Sequence, residues 1–200
     1  MTIAAEKAID GRRVRSDRPG AAVAQAMLDC IHEGALRPSA KSVAARAGVS
    51  ARAVFRHFEN MEALMAETTR LHLEKMLPLL PQPLTTGPLS KRVRRFVELC
   101  VAFLEPSRPI WNSGRPSMPF SPVLQERHRD LLAIWDQELK KSFASEFKAM
   151  TATIRKRRIQ ILVTMLGHDA WSELREAQGL SLEESKRTLE EAIRLLLSPK

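Results

Sequence analysis

The stretch Ser50-Ala51-Arg52-Ala53-Val54-Phe55-Arg56-His57 gathers side chains suited to reading a polyanion. The guanidinium of Arg52 can donate two hydrogen bonds to a guanine edge, and Arg56 and His57 can meet phosphate oxygens. Small Ala51 and Ala53 would let a helix backbone sink into a major groove. Ser50 is a helix cap by type, and a helix N-terminus itself favours phosphate. Val54 and Phe58, four apart, would face inward and leave Phe55 on the outer side with the cations. A run this short is not a stable helix alone, so neighbours must hold it.

Those neighbours are legible on either side. Asp17 as cap and Pro19 in the first turn start a helix whose apolar positions are Val23, Met27, Cys30 and Ile31, and Gly34 stops it. Ser39 caps a second helix with Val43, Ala44 and Ala47 inward and Lys41 outward. Gly48 ends that helix because it tolerates left-handed backbone. Val49 is expected to plug the angle between the helices. A fourth helix opens near Asn60 and runs through Leu64, Leu71 and Leu77 to Pro78. Short helices joined by the turn AGVS make a helix-turn-helix pattern. The predicted DNA contacts are Ser39, Lys41, Ser50, Ala51, Arg52, Ala53, Phe55, Arg56 and His57. The competing reading is an ordinary core turn whose arginines form a solvated face.

Composition agrees with helices throughout. Of 200 residues, 44% are hydrophobic, Tyr is absent, and Leu, Ala, Met, Glu, Lys and Arg dominate. No long alternating strand pattern occurs, so the expected class is all-α. Residues 1–17 read as a flexible basic arm and 18–64 as a three-helix DNA-binding domain, linked through helix 60–78. Residues 79–200 read as a helical dimerisation domain. The segment 78–88 holds four prolines and serves as the linker. Beyond it, helices are expected at 89–105, 122–149, 152–177 and 181–197. Between the first two, 106–122 carries five prolines and reads as a long irregular loop.

The net charge is +9, and residues 1–58 hold 10 basic against 5 acidic residues. That density suits a polyanion partner there, although solubility charge explains it equally well. Cys30 and Cys100 read as reduced core thiols. No signal-peptide core and no membrane-length apolar run occurs, which points to the cytoplasm. There is no Gly-rich phosphate loop, HExxH, CxxC or GxSxG, so the sequence suggests no enzyme, cofactor or metal.

The C-terminal helices argue for a homodimer. Ser181 and Glu184 form a capping box, and Leu182, Leu189, Ile193 and Leu196 make an apolar stripe. The preceding helix has two stripes. One includes Ile159, Leu162 and Leu166; the other is Ile154, Ile161 and Met165. Two apolar faces need two covers, one of which a two-fold partner would supply. The expected interface is Ile159, Leu162, Leu166, Leu182, Leu189, Ile193 and Leu196. The basic run Ile154-Arg155-Lys156-Arg157-Arg158 reads as a solvated helix start or, alternatively, a nucleic-acid patch.

From about Ala21 to Leu64 the chain resembles the DNA-binding region of TetR-family transcriptional regulators, in SVAARAGVS, then ARAVFRHF, then ENMEAL. Phe55 stands where that pattern usually has Tyr, and Met61 where it usually has Lys; each change removes a backbone anchor. His57 matches the family histidine that approaches phosphate. The resemblance implies a dimeric regulator on double-stranded DNA with a palindromic operator, a repressor released by a small apolar effector. It also makes 79–200 an effector-binding as well as a dimerisation domain, where pocket material would be Phe96, Phe103, Trp111, Phe120, Trp135 and Met165, gated by 106–122. The alternative is a DNA-binding regulator or architectural protein with no small-molecule ligand.

Overall fold

The computed structural model describes residues 18–198, so the arm at 1–17 and the Asp17 cap lie outside them. All regular elements among these residues are helical. They fall into two compact units: one takes the chain up to Leu79 together with Ser107–His128, and the other takes Leu80–Pro106 and Arg129 onward.

The first unit contains α1 (Arg18–His32), α2 (Ala40–Ala47), α3 (Ala51–His57) and α4 (Met61–Met76). Its core joins Val23, Ala24, Met27 and Ile31 of α1 to Val43 and Ala44 of α2, Val54 of α3, and Leu64 and Met65 of α4. Small residues at Ala24 and Ala44 allow these short helices to approach closely. Ser39, Ser50 and Asn60 cap α2, α3 and α4, each accepting the backbone N–H three residues on. The local signals thus set the helix starts as expected.

The segment 106–122 departs from expectation. It is not an irregular loop: α5 runs Leu89–Gly114, a 3₁₀ turn spans Arg115–Phe120, and α6 is Pro122–Ser142. Pro106 and Pro109 lie inside α5 and each deprives it of an N–H donor. The helix persists because Ser107, Ile110 and Ser113, three apart, are all buried. Ile110 and Leu124 enter the core of the first unit, and Met118 packs on it. Burying such side chains contributes about 1.5–3 kcal/mol each, which offsets part of the roughly 3 kcal/mol that each interior proline costs. Polar contacts add to this. Ser121 Oγ donates to Glu62, and His72 Nε2 lies 3.0 Å from Ser107 Oγ. Ser107 in turn donates to Met76 Sδ at 3.5 Å, so His72 supplies its Nε2 proton to the serine. Burial, with His32 adding its charge, pushes His72 down to about 4. The first unit therefore extends beyond the expected boundary at 79 by recruiting 107–128.

The second unit uses the first part of α5, the rest of α6, and α7 (Ala144–Lys148), α8 (Ala152–Met165), α9 (His168–Ser172) and α10 (Leu182–Leu197). A π-helical turn, Glu173–Ala177, follows α9. The capping box at Ser181 and Glu184 is formed in both directions. Phe96 meets Trp135 and Phe143 edge-on, and Phe103 meets Trp135 and His168 in the same way. Arg92 is buried beside this cluster, bonded to Gly87 O, Ser142 O and the Glu146 carboxylate. Trp171 Nε1 donates to Glu105 at 2.7 Å.

Candidate nucleic-acid interface

The α2–α3 turn is built by backbone hydrogen bonds. Gly48 has φ +68°, its N–H reaches Ala45 O, and the Val49 N–H reaches Ala44 O. This is a Schellman ending, and it turns the chain within two residues. Ser50 Oγ then accepts from Ala53 N at 3.2 Å and starts α3. Val54 is fully buried and Phe58 packs on the same core, which anchors a seven-residue helix too short to stand alone.

The opposite face of α3 is open. Ala51, Arg52, Phe55 and Arg56 are exposed, and Ala53 and His57 are half-buried. Ser39 and Lys41 of the α2 start are exposed too, as is Ser50. The structure thus places all nine predicted contact residues on or beside α3 and the start of α2. Lys41, Arg52 and Arg56 have no ion-pair partner among the described residues. Arg46, at the end of α2, is different: its guanidinium is held by Asp29 of α1 and by Glu33 just after that helix. α3 has no acid in its first turn. The surface is a convex, cationic helix with small residues at its leading end.

Two expectations at the turn change. Val49 does not plug the inter-helix angle; it is 38% exposed, and the buried Val43, Ala44 and Val54 fill that space instead. Left-handed Gly48 swings the following side chain outward. Met61 is partly buried against the core, which accounts for an apolar residue where a lysine was expected.

The predicted effector set is divided. Phe96, Phe103 and Trp135 come together in the second unit's aromatic cluster. Met165 is half-buried in that unit. Trp111 and Phe120 belong to the first unit, where Trp111 packs on His128 and Phe120 is 84% exposed. Segment 107–122 is accordingly not a gate within the C-terminal unit.

The predicted interface set is also corrected. Ile159, Leu162, Leu166, Leu189 and Ile193 are already buried within one chain, while Leu182 and Leu196 are half-buried. Ile154 at 44%, Ile161 at 48% and Leu195 at 67% exposed are the apolar side chains left outside. Periodicity reveals two stripes but not which one the chain's own core takes. Leu195, hidden in the run LLL, carried no separate signal.

Residues 30–68 match the model of the bacterial regulatory proteins of the tetR family. Among solved structures, the fold is similar to a transcriptional regulator from Rhodococcus sp. Rha1, at 20% identity and TM-score 0.70, covering 90% of this chain and 96% of that one. It is also similar to a candidate transcriptional regulator from Pseudomonas aeruginosa PAO1, at 17% identity and TM-score 0.64, covering 94% and 95%. No curated protein matches the chain by sequence. No described helix is long and apolar enough to cross a membrane.

Proposed function

On the match of residues 30–68 to the tetR family model, we propose that this chain is a dimeric transcriptional repressor that occupies a palindromic operator. The carrying observation is the exposed face of α3, with unpaired Arg52 and Arg56 above a buried Val54. Arg52 reads a base edge from between Ala51 and Ala53, and Arg56 with Lys41 holds phosphate. Selection of bound sequences from a random duplex pool tests this. The expected result is an inverted repeat, and a pool without enrichment would refute it.

The dimer forms through Ile154, Ile161 and Leu195 in this reading, since these exposed side chains lie on the packed pair α8 and α10. Ile161→Glu should give monomers in light scattering and remove cooperative operator binding. A charge at Leu189 would instead unfold the protomer.

A small apolar effector is proposed to release the operator. Trp135 Nε1 supports this where the effector carries one acceptor atom on its apolar body, because it is a buried donor without a hydrogen-bond partner within the aromatic cluster. The mutual edge-on packing of Phe96, Phe103, Trp135 and Phe143 favours the second reading, a DNA-binding regulator with no such ligand. A thermal-shift screen separates them. Stabilising compounds that lose their effect in Trp135→Phe support release by an effector.

A further inference from the structure

The second unit has an open cleft of about 710 Å³ that the DNA-binding reading does not use. It is lined by the end of α6, by α7, and by the first half of α8. Its floor is apolar, with Phe147 and Ile159 only 3% and 5% exposed. Ala144 and Ala152 line it as well and leave room above that floor. Its rim is cationic, formed by Lys140, Lys148, Arg155 and Lys156.

The acids near these cations are already engaged. Asp136 is the one acid in the lining, and it holds Lys140. Glu146 of α7 belongs to Arg92. Lys148, Arg155 and Lys156 form no ion pair among the described residues. α8 has no acid in its first turn, so its N-terminal dipole adds positive potential at the same edge. The basic run of α8 is divided by the fold. Arg158 closes the end of α10 by donating to Leu196 O at 2.8 Å and Ser198 O at 2.7 Å. Arg155 and Lys156 alone from that run line the cleft.

We propose that this cleft binds an amphiphilic anion, a molecule with an apolar body and a single carboxylate or phosphate head. The body lies over exposed Ala144 and Ala152 and the aliphatic stems of Lys148 and Lys156 and releases water from them, while the head takes charge-assisted hydrogen bonds from Arg155, Lys156 and Lys148. The volume lies within the roughly 300–1,000 Å³ usual for small-molecule sites. A duplex fits less well, because its phosphates follow a convex rod and have no use for a recessed apolar floor. The site stands independently of the repressor reading, since binding alone is its readout.

Calorimetric titration of the full chain tests this, with decanoate and decyl phosphate below their micelle thresholds, beside decanol and inorganic phosphate. One equivalent of at least one amphiphilic anion should bind, and the carboxylate and phosphate arms show which head is preferred. Decanol and inorganic phosphate should each bind roughly tenfold more weakly or worse. Arg155→Glu with Lys156→Glu should weaken binding by roughly tenfold or more per cation. Ala152→Phe should block it by filling the cleft from an exposed position. Both variants should melt like the parent, since none of the three positions is buried. Unchanged affinity in both variants, or no binding by either anion, would overturn the proposal. So would inorganic phosphate binding as tightly as decyl phosphate. A non-operator duplex that displaces decanoate and weakens in the same double variant would make the cleft a nucleic-acid surface instead.

Discussion

Two helix starts, at Ala51 in α3 and Ala152 in α8, carry arginines in similar density, and the fold treats them differently. In α3 the arginines stand on a convex face beside alanines, and neither has an acid within reach. In α8, Arg158 holds the carbonyl end of α10, while Arg155 and Lys156 border a concave cleft with an apolar floor. In the proposed reading the same residue type serves as a reader, a helix clamp or a cleft rim. Curvature of the surface and nearby carbonyls or carboxylates decide which. Arg92 and Arg46 extend the contrast, since each is held by acids and neither is available to a ligand.

The largest expected effect lies with the fully engaged arginine. Arg92→Ala leaves Glu146 and the Ser142 carbonyl without their partner and should cost about 3–5 kcal/mol in urea unfolding. DNA affinity of the folded fraction should not change. A loss of affinity at unchanged stability would erase the distinction between engaged and free cations.

Acid should separate the two units next. His72 is held neutral near 4 against an ordinary 6.5, so its contribution is complete above 6.5 and is lost as pH falls toward 4. That loss amounts to about 2–3 kcal/mol. His72→Gln should flatten stability over this window. The hydrogen bond from Arg92 holds Glu146 below its ordinary 4.5, so that pair contributes above 4.5 and fails only at lower pH. Urea titrations from pH 7 to 4 check both signs, and a parent curve that stays level between 6.5 and 4.5 would contradict the His72 assignment.

Arg52→Ala should follow, with about 1–3 kcal/mol lost on operator DNA and relaxed preference at one base pair. Arg56→Ala should weaken all duplexes alike. Melting temperature should stay constant in both, because neither residue has a described partner. Equal effects of the two changes on a selected-site profile would remove the reader role from Arg52.

Arg158→Ala should have the smallest effect, about 1–2 kcal/mol of stability from the uncapped end of α10. Operator binding should be untouched. If this change weakened DNA binding like Arg56→Ala, the two helix starts would be functionally alike after all.

The sequence by itself determined the helical class, the capped starts at Ser39, Ser50, Asn60 and Ser181, the Gly48 turn and the exposed face of α3. Each depends on contacts within a few residues, such as a side-chain oxygen on a nearby N–H or an apolar pair four apart, and these survive in a one-dimensional pattern. Only the tertiary structure decided the rest. It drew 107–128 into the first unit, where buried Ile110 and Leu124 together with the contacts of Ser107 and Ser121 offset two proline defects that the sequence alone presents as a loop. It turned Val49 outward and Met61 inward, chose which α8 stripe to bury, and sent Arg158 to a carbonyl 38 residues away. Such choices rest on which distant surfaces meet, and neither periodicity nor composition carries that information.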